Sequence, residues 1–489
     1  MHKGLFSGFA IIIFSFGCYA QKGTHSPYSI LGIGELNWSQ YAIYSGMGNV
    51  QMANADSAAV NNANPAMYAY LLRHKPVFQV GLNGKFSRFE TASAVLDKSN
   101  AQMSQFQLGL PIAKRWGMAM GLMPYSSRGY SIYNLVISGD DTTHQFVNEG
   151  SGGISQAYFG LSCLALDLDY ADTNFKTKRG MIADGKAIQR TDTIVWQRGH
   201  NFSFGFNANF LFGSATSKRT FEYIIDDDLN LNSRVENGLR ISDGYFDFGI
   251  NYQNFFKSDS MSGSFSIGLV YSPQSKLRAF QDLFAYNYAG SFYQPNKIVF
   301  VQDTVQYIED DQGTVLLPEV WKGGFEYRFG PNRATGAVFK IGVDARFQRW
   351  TDYYSEFSGN ISPFTLKDRL SLGIGMEIVP ATGYGTRSNS TSYINKIRYR
   401  LGFNYTMTEW QPTNDLDIET PINDYGMSFG LGFPVESDNS STTINFGASF
   451  GNLGTTEGGL IRERYLGVYF GLSLTPGRRN YWFIKPKYN

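Results

Sequence analysis

Side chains able to do chemistry are sparse in this chain. Of its histidines, His25, His74, His144 and His200 follow the first twenty residues, and none stands at metal-ligand spacing from another. No Ser or Asp sits beside a His in the pattern that nucleophile and base require. "DDDLNLN" (226–232) alternates oxygen donors, but Leu231 and Asn237 occupy the positions where a calcium loop has Gly and Glu. "GIGE" (32–35) and "GLGFP" (430–434) precede no helix that could hold a phosphate. The expectation is a chain that is not an enzyme, with no catalytic residue, metal or cofactor. What remains is a set of charges at alternating positions of apolar runs: Lys85, Asp247, Glu326, Arg328, Lys340, Asp344, Arg346, Glu377, Arg398 and Arg400.

Those runs must be the elements that position the charges. Phe202, Phe204, Phe206, Ala208, Phe210 and Phe212 alternate with Ser203, Gly205, Asn207 and Asn209. Residues 246–252, 339–347 and 397–407 repeat the pattern, which is the period of a β-strand with one apolar face. Aromatics are 16% of the chain, which favours strands over helices, and 53 residues are glycine. Two architectures fit: a sandwich with its apolar face against a second sheet, or a membrane barrel with that face in lipid. Runs of 9–17 residues suit a tilted bilayer span. The other face is Gly, Ser, Asn and Gln rather than Lys and Glu. An Arg or Lys on a barrel's lipid side costs about 2–4 kcal/mol, so the ten charges belong in the lumen.

Strands are expected at 76–88, 101–112, 115–132, 153–168, 199–222, 243–257, 262–286, 316–330, 336–350, 367–380, 393–409, 422–435, 441–452 and 463–475. That is an all-β, 14-stranded antiparallel transmembrane β-barrel over 76–475. Short connections such as 113–115, 258–263, 330–336 and 436–441 would face the periplasm. Longer ones at 89–100, 133–152, 287–315, 351–366 and 410–421 would face outward. Residues 169–198 are long yet fall on the periplasmic side by parity. They are either a periplasmic insertion, the favoured reading, or a miscounted hairpin. Trp116, Trp321, Trp350, Trp410, Tyr252 and Tyr465 are expected in interfacial girdles.

Residues 1–20 read as a signal peptide: Lys3, an apolar run and Cys18-Tyr19-Ala20 before Gln21. Acylation at Cys18 is the rival, weakened by Ser15. Residues 21–75 lack a clean alternating span and are the right size for an N-terminal lumenal hatch that pairs the inward charges. Residues 476–489 form a C-terminal tail. With net charge +1 and no basic tract, nucleic acid is not an expected partner.

Several segments resemble the FadL/TodX-type outer-membrane transport family in its Bacteroidetes version: "SPYSILGIGEL" (26–36), "GMGNVQMANADSAAVNNANPAMY" (46–68), "LPEVWKGGFEYRF" (317–329), "ARFQRWTDY" (345–353) and "GNLGTTEGGLIRERYLGVYFGLSL" (451–474). "YRLGFNYT" (399–406), "GMSFGLGFP" (426–434) and the ending "YWFIKPKYN" are similar as well. The resemblance implies a hatch with Asn64, Pro65 and Ala66 as its "NPA" turn. It also implies a lateral exit beside a kinked third strand, where Pro124 falls, with Ser126, Ser127 and Gly129 after it. A bulge at the outer rim is the plainer reading of Pro124. Two departures stand out: the strongly charged lumen and the long 169–198 segment.

The leading functional expectation is a multi-pass channel of the Gram-negative outer membrane, in contact with outer-membrane lipid. It would take up fatty acids, aromatic hydrocarbons or other hydrophobic and amphipathic small molecules passively. Phe284, Tyr286, Tyr288, Phe292 and Tyr293 are then substrate-binding loop candidates, against the plainer reading that they pack a hairpin. The alternative is a plugged, non-transporting barrel that docks a protein partner in an outer-membrane secretion, assembly or surface complex.

Overall fold

The computed structural model describes residues 23–476, apart from 31, 38–40, 74, 139–140, 182–186, 225–230, 259–260, 295–296, 332–335, 364–365, 382–391, 413–418 and 438–439. The signal peptide (1–20) and nearly all of the tail (476–489) lie outside the described residues. So does most of the 226–232 segment.

Fourteen antiparallel strands close on themselves. In order round the wall they are β2 (Val77–Glu90), β3 (Val95–Pro111), β4 (Trp116–Ser127), β6 (Asp141–Met181), β7 (Ala187–Tyr223), β8 (Asn232–Lys257) and β9 (Met261–Ser272). They continue with β12 (Val320–Pro331), β13 (Val338–Gln348), β16 (Arg369–Val379), β17 (Arg398–Met407), β18 (Asn423–Ser437), β19 (Ser440–Leu453) and β20 (Arg462–Thr475). Closure comes from β20 pairing with β2, Gly471 opposite Gly81. A closed barrel leaves no edge in the hydrocarbon layer, where an unpaired backbone group has no water to bond.

The alternation resolves as expected. Phe204, Phe210, Phe246, Phe248 and Ile250 point outward, while Ser203, Asn207 and Asn209 are buried. Asp247, Glu326, Lys340, Asp344, Glu377 and Arg400 all lie buried inside. Arg328 is the exception, exposed at the short-turn mouth rather than enclosed.

Several expected boundaries are corrected. The strand placed at 262–286 breaks after Ser272, where Pro273 interrupts the ladder, and resumes as β10 (Ser275–Ala289). The 287–315 loop is largely β11 (Phe300–Leu317), paired with β10 beyond the barrel. The third strand stops at Ser127, and β5 (Tyr130–Ser138) pairs only with β6. The 89–100 loop is a tight turn, Thr91 N–H donating to Ala94 O at 2.9 Å. The 351–366 loop carries β14 (Tyr354–Phe357) and β15 (Asn360–Pro363). The connections 89–100, 133–152, 287–315 and 351–366 therefore carry strand, so the sheet continues past the expected spans, while 410–421 carries no strand among the described residues. The 169–198 segment is also strand: β6 and β7 stay paired down to Met181 opposite Ala187.

Trp116 and Trp321 are exposed on the outer face, as a girdle requires, but Trp350 and Trp410 are buried. They pack with Ile33, Leu36, Ile422 and Leu453 against the wall residues Ile154, Leu211 and Ile241. The 3-10 turn Trp350–Asp352 folds that indole back into the lumen. Tyr465 also faces inward, donating to Asp424 Oδ1 at 2.9 Å.

Candidate functional site

The barrel interior is taken up by the described residues of the chain's own segment 23–72. This segment has little regular structure of its own: 3-10 turns at Pro27–Ile30 and Pro65–Tyr70, the two-residue strand β1 (Glu35–Leu36) and the single turn α1 (Ala42–Ser45). Its backbone polar groups must therefore find partners elsewhere. The wall supplies them. Gly48 N–H donates to Ser428 Oγ at 2.9 Å. Asp344 Oδ2 accepts from Gln51 N–H at 2.6 Å and Met52 N–H at 2.9 Å. Val60 N–H donates to Gln79 Oε1 at 2.9 Å.

Such close approach needs wall positions without a side chain. From β3 round to β20, every barrel strand presents a glycine whose added Cβ would run into the plug. At Gly117 that carbon would lie 1.9 Å from Tyr68 O, at Gly268 1.9 Å from Met52 O, and at Gly402 1.9 Å from Gly48 N. Gly205 meets Pro65 O at 2.6 Å and Gly375 meets Met47 O at 2.3 Å. Gly48 itself has φ +64°, which a side chain would strain. The lumenal glycines thus form a seat moulded to the plug backbone.

The expected "NPA" turn lies in this seat. Asn64 caps the 3-10 turn, its Oδ1 accepting from Ala66 N–H at 3.1 Å, while its Nδ2 donates to Met52 O at 2.8 Å and Ile250 O at 3.3 Å. Tyr68 Oη donates to Asn207 Oδ1 at 2.9 Å. Ion pairs add charge matching. Lys85 lies 2.8 Å from Glu463 and 3.3 Å from Glu35, and Arg398 lies 2.8 Å from Asp56. Arg400, fully buried, reaches Glu377 at 2.6 Å. Burial pushes the Asp56 carboxyl up, but Arg398 and Lys340 outweigh it and hold that group below its ordinary value. Glu35 follows the same balance: burial raises it, Lys85 lowers it, and the net shift is downward.

The region of Pro124 is irregular in a specific way. The β3–β4 ladder ends at Phe106 opposite Leu122. Above that point β4 keeps its partner β6, with a bulge between Pro124 and Ser126, and has no β3 neighbour. The plug fills the vacancy. Glu35 pairs with Ser127 and Leu36 with Ser126, and Asn37 N–H donates to Tyr125 O at 2.8 Å. Ser126 Oγ donates to Ile33 O at 2.7 Å, and Gly129 N–H donates to Ser29 Oγ at 3.1 Å. Asn100 on β3 donates to Gly23 O at 2.6 Å. Gly34, at φ +98°, has no room for a Cβ beside Ser127 O. Pro124, Ser126, Ser127 and Gly129 therefore border an interruption in the wall that β1 closes.

The five aromatics sit together in a packed cluster, Phe284, Tyr286 and Tyr288 on β10 and Phe292 and Tyr293 in the chain that follows it. Tyr288 Oη donates to Glu222 Oε1 at 2.6 Å, and Phe292 N–H donates to the same oxygen at 2.8 Å. Tyr293 Oη donates to Glu149 at 2.8 Å. Phe284 packs on Tyr286 with ring centroids 4.4 Å apart, and Arg234 lies over the Phe292 ring at 4.0 Å. Tyr286 and Tyr288 are buried.

Sequence reasoning missed the seat. Its signal was present: glycines recurring on the polar face of successive strands, at levels where register brings them opposite one another, as Gly342, Gly375 and Gly402 are.

A closed antiparallel β-barrel with apolar residues outside and a plug inside defines an outer-membrane-type β-barrel protein. Comparison with protein families narrows this. A family model described as BamG matches residues 1–168 and 192–489, and the chain belongs to that family. Among solved structures, it is similar to a Pseudomonas aeruginosa FadL homologue, 14% identical over 91% of this chain and 99% of that one, with a TM-score of 0.47. It is similar to the CymD monoaromatic hydrocarbon channel at 11% identity, covering 92% and 100% of the two chains, TM-score 0.45. The Ralstonia pickettii toluene transporter TbuX is 12% identical, covering 88% and 97%, TM-score 0.43. None of the curated proteins matches significantly.

Proposed function

We propose that this protein is a plugged barrel of the outer membrane that docks a protein partner in a secretion, assembly or surface complex. One observation carries the reading: the plug lies on a seat of glycines contributed by strand after strand, with its backbone against the wall. A hatch that withdraws in each transport cycle would have to give up those contacts and bare the charges that Asp56 and Glu35 match. The outer part of the lumen is filled by the apolar cluster around Trp350 and Trp410.

The extended parts of the barrel fit the same reading. The β6–β7 ribbon continues past Gln197 opposite Lys257, where β8 ends, with neither outer edge paired among the described residues. The family match omits 169–191, which is most of the ribbon. On the expected orientation it reaches into the periplasm, where exposed strand edges recruit partners.

A second reading, passive uptake of hydrophobic or amphipathic molecules, is favoured by the interruption beside Pro124. It requires residues 33–37 to leave the edge of β4. Two measurements decide between the readings: uptake of labelled fatty acids and alkyl aromatics in knockout and complemented cells, and the proteins that co-purify in mild detergent. Docking expects unchanged uptake and a stoichiometric partner. Uptake that falls in the knockout, with the chain purifying alone, rejects docking.

A further inference from the structure

The short-turn mouth of the barrel holds a cavity of about 470 Å³ that neither the seat nor the wall interruption uses. It lies between the plug turn at 54–58 and the ends of β12, β13, β16 and β17. Three carboxylates line it, Asp56, Glu326 and Glu377. Five cations face them: Lys75, Arg328, Lys340, Lys396 and Arg398. The carboxylates are already committed. Asp56 is held by Arg398 at 2.8 Å. Lys340 stands 3.7 Å from both Glu326 and Glu377, and Glu377 is further held by Arg400 at 2.6 Å. Among the described residues, Lys75 and Arg328 have no carboxylate within ion-pair reach.

Asn54 lines the cavity from the plug side. Ala55, Leu72, Val338 and Val379 supply apolar wall beside these groups. The volume is in the range of sites for small organic ligands.

We propose that this mouth binds a multivalent oxyanion, carrying carboxylate or phosphate groups on a short apolar stem, through Lys75 and Arg328. The proposal is independent of the docking reading, because the site is formed by the chain alone. The same chemistry could come from a free small anion or from an acidic stretch of polypeptide.

The test is calorimetric titration of the full chain in detergent at low salt with three probes: citrate, pyrophosphate and an Asp/Glu-rich peptide. At least one should bind. Lys75→Glu with Arg328→Glu should weaken it by about tenfold or more, since a charged hydrogen-bonding partner is worth roughly 1.5–3 kcal/mol. Both side chains reach solvent, so the variant should fold, which its unheated gel mobility checks. Lys98→Glu, exposed on β3, should bind as wild type does. Binding of citrate or pyrophosphate supports the proposal with a free anion as source. Binding of the peptide alone supports it with a polypeptide source. Failure of all three probes, or equal binding by the charge-reversed variant, overturns it.

Discussion

At the scale of single residues, the glycine seat makes the sharpest claim. Gly402→Val places carbon where Gly48 N and Met47 C already lie, 1.9 and 2.2 Å from the first added atom. Both obstacles are backbone, so no rotamer change relieves them. The expected cost is at least the ~1–3 kcal/mol typical of overpacking. It should appear as faster proteolysis between residues 23 and 75 while the barrel keeps its heat-modifiable gel mobility. Gly84→Ala is the control, because its Cβ would meet only Asn100 O, at 3.6 Å. Charge gives a second residue-scale prediction. Arg398 and Lys340 depress Asp56 against the upward push of burial. A carboxyl with a lowered folded value contributes stability that is complete above its unfolded value of about 3.9 and is lost as pH falls through the lower folded one. Protease protection of the plug should thus stay level from neutral pH to about 5 and decline below about 4. Asp56→Asn should weaken the plug at neutral pH and flatten that decline. A wild-type profile with its fall near neutral pH would contradict the assignment.

At the scale of elements, the deciding feature is a two-residue strand. β1 completes the ladder that β3 abandons, so the interruption in the wall is closed by chain from far earlier in the sequence. Leu36 and Ser126 are register partners, and Cα atoms facing across an antiparallel pair lie about 4.5–5.5 Å apart, within disulfide range. In a Cys163→Ser background, Leu36→Cys with Ser126→Cys should therefore cross-link readily on oxidation. The cross-link separates the two functional readings. If the interruption is an exit for substrate, locking β1 abolishes uptake and reduction restores it. If the barrel docks a partner, the locked chain co-purifies with it undiminished.

At the scale of the whole molecule, the barrel and its plug are one packed object with a ribbon attached. Reconstituted into planar bilayers, the intact chain should show no steady conductance, and deletion of residues 23–72 should open a pore of the kind a wide barrel encloses. Steady conductance by the intact chain would mean that the plug leaves a continuous path. The ribbon is expected to be dispensable for folding, since a lone two-stranded hairpin adds little stability. Replacing 170–196 by a short turn should leave the barrel heat-modifiable and remove the partner from the mild-detergent preparation.

The alternation of residues such as Phe246, Phe248 and Ile250 with Asp247 and Gly249 determined strand by itself, and the length of the runs with their uncharged small-polar face chose lipid over a second sheet. A period of two puts successive side chains on opposite faces, and the cost of charge in hydrocarbon chooses which face meets lipid. The number of strands followed from the same local rule, as did the inward placement of Lys340 and Arg400. The break at Pro273 and the burial of Trp350 were not legible, because each depends on what the next stretch of chain packs against. Only the tertiary structure decided where residues 23–72 go. Their hydrogen bonds and ion pairs run to partners tens to hundreds of positions away, Tyr41 to Ser473 and Gln51 to Asp344 among them. A segment with no period of its own takes its shape from the wall that encloses it. The chain alone shows scattered glycines, and only closure of the sheet brings them into one ring around that segment.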